Sequence, residues 1–373
     1  MNMKKFRLTL LSCVLMLSLL FSGTAYAQDE ELPDPGITPD SPFYFFDTMG
    51  KDIGLFFTFG PEAKARKALE YAEERLAEAE AMAIRNKTKE MTQATNSYER
   101  FLAVANGKVT EVSRQGESAN ASEMMALATA RHLAILDKVR DSAPEEAKEA
   151  VARVRERSMN EQQNALRALA KERIERAAEI NLTTIEERLN RARVQAEKNN
   201  IAEVEDALDD AEKLYRFGEE ISALAQGLSE NTTVQELVAK ATSTHLEVLA
   251  DIYGKVPEEA KPAIEKAIAN TTISRERVIE VLRSSGALGE ISEEAPALER
   301  LQAEVLERVR VRVQEEIQKG AEGVQERVEE QVQEKTREQL QNLEPQLNQP
   351  SVSENESQEK EVTATEKVRV GKS

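Results

Sequence analysis

The chain is poor in the residues that most protein chemistry needs. In 373 residues there is one cysteine, Cys13, two histidines, His132 and His245, and no tryptophan. A single thiol excludes a disulfide framework and a cysteine-rich metal site. Glycine (15) and proline (11) are scarce, which leaves little punctuation and favours long helices. Aromatic residues make up 4%, so a core must rely on Leu, Ile, Val, Ala and Met, which suits slender helical bundles. No segment sustains the period-two alternation of a strand. There is no Gly-x-Ser-x-Gly, no phosphate-cradling glycine loop, no His-Glu-x-x-His and no dinucleotide fingerprint. The reading is a protein that is not an enzyme and needs no cofactor.

Charged residues, by contrast, make up 32%, with a formal net charge of −18. The first residues read as a secretory leader: basic Lys4, Lys5 and Arg7, an apolar stretch Leu8 to Phe21, and the small-x-small site Ala25-Tyr26-Ala27. That stretch falls short of the ~20 residues of a membrane span. Cleavage is expected before Gln28. A lipoprotein reading of Leu11-Ser12-Cys13 is weaker, because it leaves Val14 to Phe21 as an apolar run after the lipid. Cleavage removes Cys13 together with three basic and no acidic residues, which takes the charge to −21. The expectation is a soluble chain, secreted or in the cell envelope, with no stable membrane span. Such a charge repels nucleic acid and anionic headgroups and favours a basic partner or loosely held cations.

Residues 28–60 combine an acidic, proline-punctuated spacer with an aromatic clasp. Phe43, Tyr44, Phe45, Phe46, Phe56, Phe57 and Phe59 lie here, and Phe43, Phe46, Met49, Ile53 and Phe57 share one helical face. Amphipathic helices are then predicted at Pro61–Ile84, Lys89–Ser113, Ser122–Ser142, Pro144–Glu179, Thr184–Lys198, Ile201–Gln226, Thr232–Tyr253 and Pro257–Ser285. The chain also matches itself at a shift of 113 residues. Glu73-Glu74-Arg75-Leu76 falls on Glu186-Glu187-Arg188-Leu189, His132-Leu133 on His245-Leu246, and Pro144-Glu145-Glu146-Ala147-Lys148 on Pro257-Glu258-Glu259-Ala260-Lys261. The expected fold is all-α: two tandem antiparallel helical bundles from an internal duplication (61–177 and 178–290). A long charged helix follows in 291–344, then a disordered tail in 345–373. That helix repeats apolar residues every fourth position, from Leu301 to Ala321. This drifts around the helix and argues against a standard coiled coil.

Three features together resemble a known family. They are Ile37-Thr38-Pro39-Asp40-Ser41-Pro42-Phe43-Tyr44, then Ala72-Glu73-Glu74-Arg75-Leu76-Ala77-Glu78, and His-Leu-x-x-Leu followed by Val-Pro-Glu-Glu-Ala-Lys, complete at 245–261 and looser at 132–148. The chain is similar over residues 37–285 to the exported archaeal and bacterial helical proteins of domain-of-unknown-function family 5667. The resemblance implies an exported helical module and brings no reaction, cofactor or catalytic residue.

The histidines occupy equivalent repeat positions, which invites a paired metal or proton-transfer site. Each also sits in the middle of an apolar seam, and neither has the Glu three residues before it that di-metal bundles use. They are therefore expected to be half-buried structural groups bonded to a neighbouring helix. The Pro-Glu-Glu-Ala-Lys motifs read as helix starts. The aromatic clasp is expected to pack into the first bundle; a membrane-interface helix would favour Trp and basic residues. Charge runs read as solvated faces with i,i+4 pairs such as Glu304 with Arg308 and Glu315 with Lys319. Asn86, Asn120, Asn181, Asn231 and Asn270 head Asn-x-Ser/Thr sequences, as does Asn355. These read equally as caps and turns or as N-glycosylation sites. The functional expectation is an exported, non-catalytic module for a protein partner or for self-association; the alternative is an extracytoplasmic binder of a cation or small ligand.

Overall fold

The computed structural model describes residues 32–318, apart from 117, 229–231, 290, 292–295, 302 and 316. The expected leader, Asn231, Asn355, the tail and the C-terminal helix beyond 318 lie outside the described residues. A compact unit extends to Val313, and the account below concerns that unit.

Among the described residues the helices run in order: α1 (Tyr44–Phe56), α2 (Pro61–Ile84), α3 (Thr88–Arg114), α4 (Ser118–Ser142), α5 (Glu145–Ala170), α6 (Ile174–Glu197), α7 (Ile201–Leu228), α8 (Thr233–Tyr253) and α9 (Lys261–Ser284). A 3-10 turn at Leu298–Arg300 and α10, from residue 303, follow. No strand occurs among the described residues. Pro61 sits in the first turn of α2, where its missing N–H costs nothing. Asn86 and Asn199, 113 residues apart, close α2 and α6 with left-handed φ of 55° and 59°. At both, the next amide reaches back five residues, Lys87 to the Met82 carbonyl and Asn200 to that of Gln195, as a left-handed helix stop requires.

The helices pair as hairpins: α2 with α3, α4 with α5, α6 with α7 and α8 with α9. Within the first repeat α2 packs on α4 and α3 on α5; in the second, α6 packs on α8 and α7 on α9. Each repeat is thus a four-helix bundle, as the duplication implies. Close approach rests on buried alanines, such as Ala68, Ala72, Ala79 and Ala94 in the first bundle. The repeats do not keep separate cores. The first hydrophobic cluster runs from α2–α5 into Ile180 of α6, Phe217 of α7, Val238 of α8 and Leu282 of α9. A second cluster around Leu189, Leu214, Leu249 and Ile264 takes in Leu301, Val305 and Val309 from the C-terminal side.

Several boundaries differ from the sequence expectation; α4 starts at Ser118 rather than Ser122, and α6 at Ile174 rather than Thr184. The predicted helix Pro144–Glu179 ends at Ala170, where the Leu169 carbonyl accepts from both Glu172 and Arg173 N–H. The helix at Pro257 starts at Lys261 instead; Pro262 must lie in the first turn, and residues 257–260 form a turn before it. The long helix expected from Ala297 is interrupted at Leu301, whose ψ of 145° is extended. No helix among the described residues is long and apolar enough to cross a membrane.

Candidate functional site

The two histidines build the same polar cluster twice. In the first repeat Tyr98 (α3) donates to Ser158 Oγ (α5) at 3.0 Å, and its hydroxyl lies 3.4 Å from His132 Nδ1 (α4). In the second, the Tyr215 hydroxyl (α7) lies 2.6 Å from His245 Nδ1 (α8), with Thr271 (α9) as its further partner. The rings meet edge-on in both, with centroids 5.4 and 5.6 Å apart. Ser158 and Thr271 are equivalent at the 113-residue shift; Tyr98 and Tyr215 are not. Tyr215 takes the place of Leu102, and Ala211 that of Tyr98, so the tyrosine has moved by one helical turn. The histidines are fully buried rather than half-buried, at 0% and 1% exposure. Burial pushes both imidazoles down to about 3, so they are neutral at physiological pH. Burial likewise pushes both tyrosine hydroxyls up, so they keep their protons.

Such a cluster can order three helices. The cavity beside Tyr215 is about 30 Å³, the scale of a single water. Among the described residues no three His, Cys, Asp or Glu side chains are placed to hold a metal. A larger hollow of about 430 Å³ is an open groove along α3, between Lys89 and Arg100.

A second feature was not legible in the charge pattern. Asp137 (α4), buried at 4% exposure, accepts from Arg155 (α5) at 2.7 Å and from Arg188 (α6) at 2.5 Å. Arg155 continues to Asp206 and Asp210 of α7, and Arg191 joins Asp141 to Glu203. The repeats are thus stapled by buried ion pairs, where solvated charged faces were expected. Burial alone would raise the Asp137 carboxyl; the guanidiniums of Arg188, Arg155 and Arg191 outweigh it and hold the carboxyl below its ordinary value. Arg308 likewise reaches across helices, to Glu265 at 2.8 Å and the Tyr253 hydroxyl at 3.1 Å.

Arg75, the repeat equivalent of Arg188, is also fully buried, and its acids come from elsewhere. It donates to Glu78 at 2.7 Å, to the Tyr44 hydroxyl at 2.6 Å and to Asp47 at 2.6 Å. Tyr44 and Asp47 belong to α1, so α1 serves the first repeat as α4 serves the second. Lys51 pairs with Glu74 at 2.8 Å and Asp52 with Arg100 at 2.7 Å. Gly54 sits so close to α2 that a Cβ there would lie 2.5 Å from the Tyr71 hydroxyl. The polar side of α1 is therefore its inner side.

The aromatic face points outward, which overturns the expectation that it packs into the first bundle. Phe45, Phe46, Phe56 and Phe57 are 61–73% exposed and Phe59 is 84% exposed; only Tyr44 of the clasp aromatics is buried. The period was read correctly and the direction was not. What glues α1 down is a salt-bridge network to residues ~30 positions away, and a hydrophobic pattern carries no trace of it.

The glycosylation candidates fall in different settings. Asn86 is exposed on a left-handed turn. Asn120, exposed near the start of α4, accepts from Arg173 at 2.7 Å. Asn270 is partly covered within α9. Asn181 was read as a turn residue, but it lies inside α6 at 1% exposure, and its amide donates to the Leu214 carbonyl at 3.1 Å. A glycan cannot be attached there in the folded chain.

Residues 36–175 match the family described as Domain of unknown function (DUF5667). The match takes in α1 to α5, the clasp and first repeat, and agrees with the resemblance read from the motifs. The second repeat lies outside the matched residues. A search of the curated proteins finds no match. Among solved structures, one described as a circular tandem repeat protein with novel repeat topology and enhanced subunit contact surfaces is similar, with a TM-score of 0.51 at 16% identity. The likeness covers 72% of this chain, which spans 62% of the length of that one, and it is a likeness of fold.

Proposed function

We propose that the protein is an exported, non-catalytic helical module that presents a surface to another protein chain in the cell envelope or outside the cell. The observation that carries this reading is the outward aromatic face of α1. Monomeric soluble proteins seldom leave a contiguous apolar patch of this size in water, and larger ones mark interaction sites. The side chains capable of chemistry support it from the other direction. Both histidines, Tyr98, Tyr215 and Asp137 are buried in contacts that hold helices together. Export rests on the leader pattern at residues 1–27.

Native mass spectrometry of the protein purified from its own cells tests the reading. The expected species begins at Gln28 and retains a companion chain or a second copy. A bare monomer overturns the interaction reading, and a small retained mass on that monomer points to a ligand-binding protein instead.

A further inference from the structure

The exposed face of α1 has an internal symmetry. Phe45 and Phe57, Phe46 and Phe56, and Met49 and Ile53 form three pairs, each equidistant from Lys51. Phe43 and Phe59, also exposed, extend the series by a fourth pair. At 100° per residue, the six central side chains fall within about a third of the helix circumference. The charges of α1 lie outside this arc and are neutralised locally: Asp47 by Lys51 and Arg75, Lys51 also by Glu74, and Asp52 by Arg100.

A two-fold contact requires a self-complementary patch, in which residue i meets j and j meets i. A helix face mirrored about its midpoint meets that requirement when it lies antiparallel on a copy of itself. The six phenylalanines expose about 800 Å² per chain, taking ~200 Å² for a whole side chain. A standard interface buries ~800 Å² per partner. Phe and Met with no charge is the composition of an interface core. A lipid surface imposes no mirror symmetry. An interfacial helix also keeps its polar face in water with basic residues on it, whereas here that face is packed on α2 and the chain is strongly acidic.

We propose that two copies of this chain pair through α1, antiparallel, about a two-fold axis that meets the exposed face at the height of Lys51. Phe45 then lies against Phe57 of the second copy, Phe46 against Phe56, and Met49 against Ile53. This names a partner for the surface on which the proposed function rests.

Sedimentation of the chain from Gln28 to Ser373 tests it, alongside two double variants, F46E/F56E and F46K/F56K. Both substituted positions point into solvent, so helicity should match the wild type. The wild type is expected to sediment as a dimer with a Kd near or below ~1 µM. Each variant alone is expected to be monomeric, because like charges face one another. A mixture of the two is expected to recover a dimer, since position 46 of one faces position 56 of the other. A wild type that stays monomeric at ~100 µM overturns the pairing. So does a dimer that survives in F46E/F56E, or a mixture that stays monomeric. Flotation of a monomeric wild type, but not of F46E/F56E, with phosphatidylcholine vesicles overturns it in favour of a lipid surface. If the wild type is monomeric here yet retains a different companion when taken from its own cells, self-pairing fails while the interaction reading stands.

Discussion

Lowering the pH probes the burial of the two histidines directly. Burial holds both imidazoles at about 3, against an ordinary value of 6.5. As the pH falls below 6.5 the unfolded chain takes up a proton at each, and the folded chain does not. The unfolded state binds more protons throughout this window, so the contribution is present in full above 6.5 and is lost as the pH falls towards 3. Each histidine removes ~1.4 kcal/mol per pH unit once the pH is well below 6.5, so the pair removes roughly 2–3 kcal/mol between pH 6 and pH 5. The slope needs only that the folded values lie below the window, not how far below. Urea unfolding followed by far-UV circular dichroism across pH 5–8 measures it, with H132N/H245N as the reference. Asparagine puts a side-chain amide, which can donate or accept, near the place of Nδ1 but takes up no proton. The carboxylates act on both proteins alike, so the difference between the slopes isolates the histidines. Equal slopes would refute the reasoning, as would imidazole resonances titrating near 6.5 in the folded protein.

Three other outcomes are expected. Asp137→Ala takes the carboxylate from buried Arg188 and one partner each from Arg155 and Arg191 at the repeat junction, and should cost ~3–5 kcal/mol, lowering the melting temperature by about 10 °C. Breaking the exposed Arg167–Glu220 pair with Glu220→Ala should cost less than ~1 kcal/mol, and a comparable loss at both sites would contradict the staple. Burial pushes the Glu78 carboxyl up to about 7 against the pull of Arg75, from an ordinary 4.5. The folded chain then binds the extra proton between those values, so this contribution to stability declines as pH rises through them. Glu78→Gln should remove that decline in the same titration, and an unchanged slope would refute the shift. Glycopeptide mapping of the native protein should find Asn181 bare while the exposed Asn86 remains open to modification; a glycan on Asn181 would show that α6 is not packed as described.

The helical fold and the duplication were legible because both are written in short-range signals. Apolar period, Pro61 in a first turn and motifs recurring 113 residues apart all act locally, and α2 was bounded to the residue. What failed depended on contacts remote in sequence. The break before Ile174 contains neither glycine nor proline. The stretch Asn181-Leu182-Thr183-Thr184 resembled a turn, yet it is helical because the Thr184 hydroxyl bonds back to the Ile180 carbonyl and the Asn181 amide reaches α7. Arg188 and Asp137 lie 51 residues apart, and each looked like one more surface charge among many. The histidines were placed correctly in their seams, but their tyrosines went unnoticed because the two do not align between the repeats.

That misalignment bears on how parts of this molecule could be exchanged. The ring pair is built in both repeats from a histidine at one fixed seat and a tyrosine from seats a full turn apart, the vacated seat being filled by Leu102 in one case and Ala211 in the other. Grafting α7 in place of α3 would bring the tyrosine in at the height of Leu102 and leave an alanine where Tyr98 stood beside Ser158. A single helix is therefore not a spare part, even between halves that descend from the same stretch of chain. The smallest unit that can be moved with its polar contact intact is the whole set of helices that donate to it.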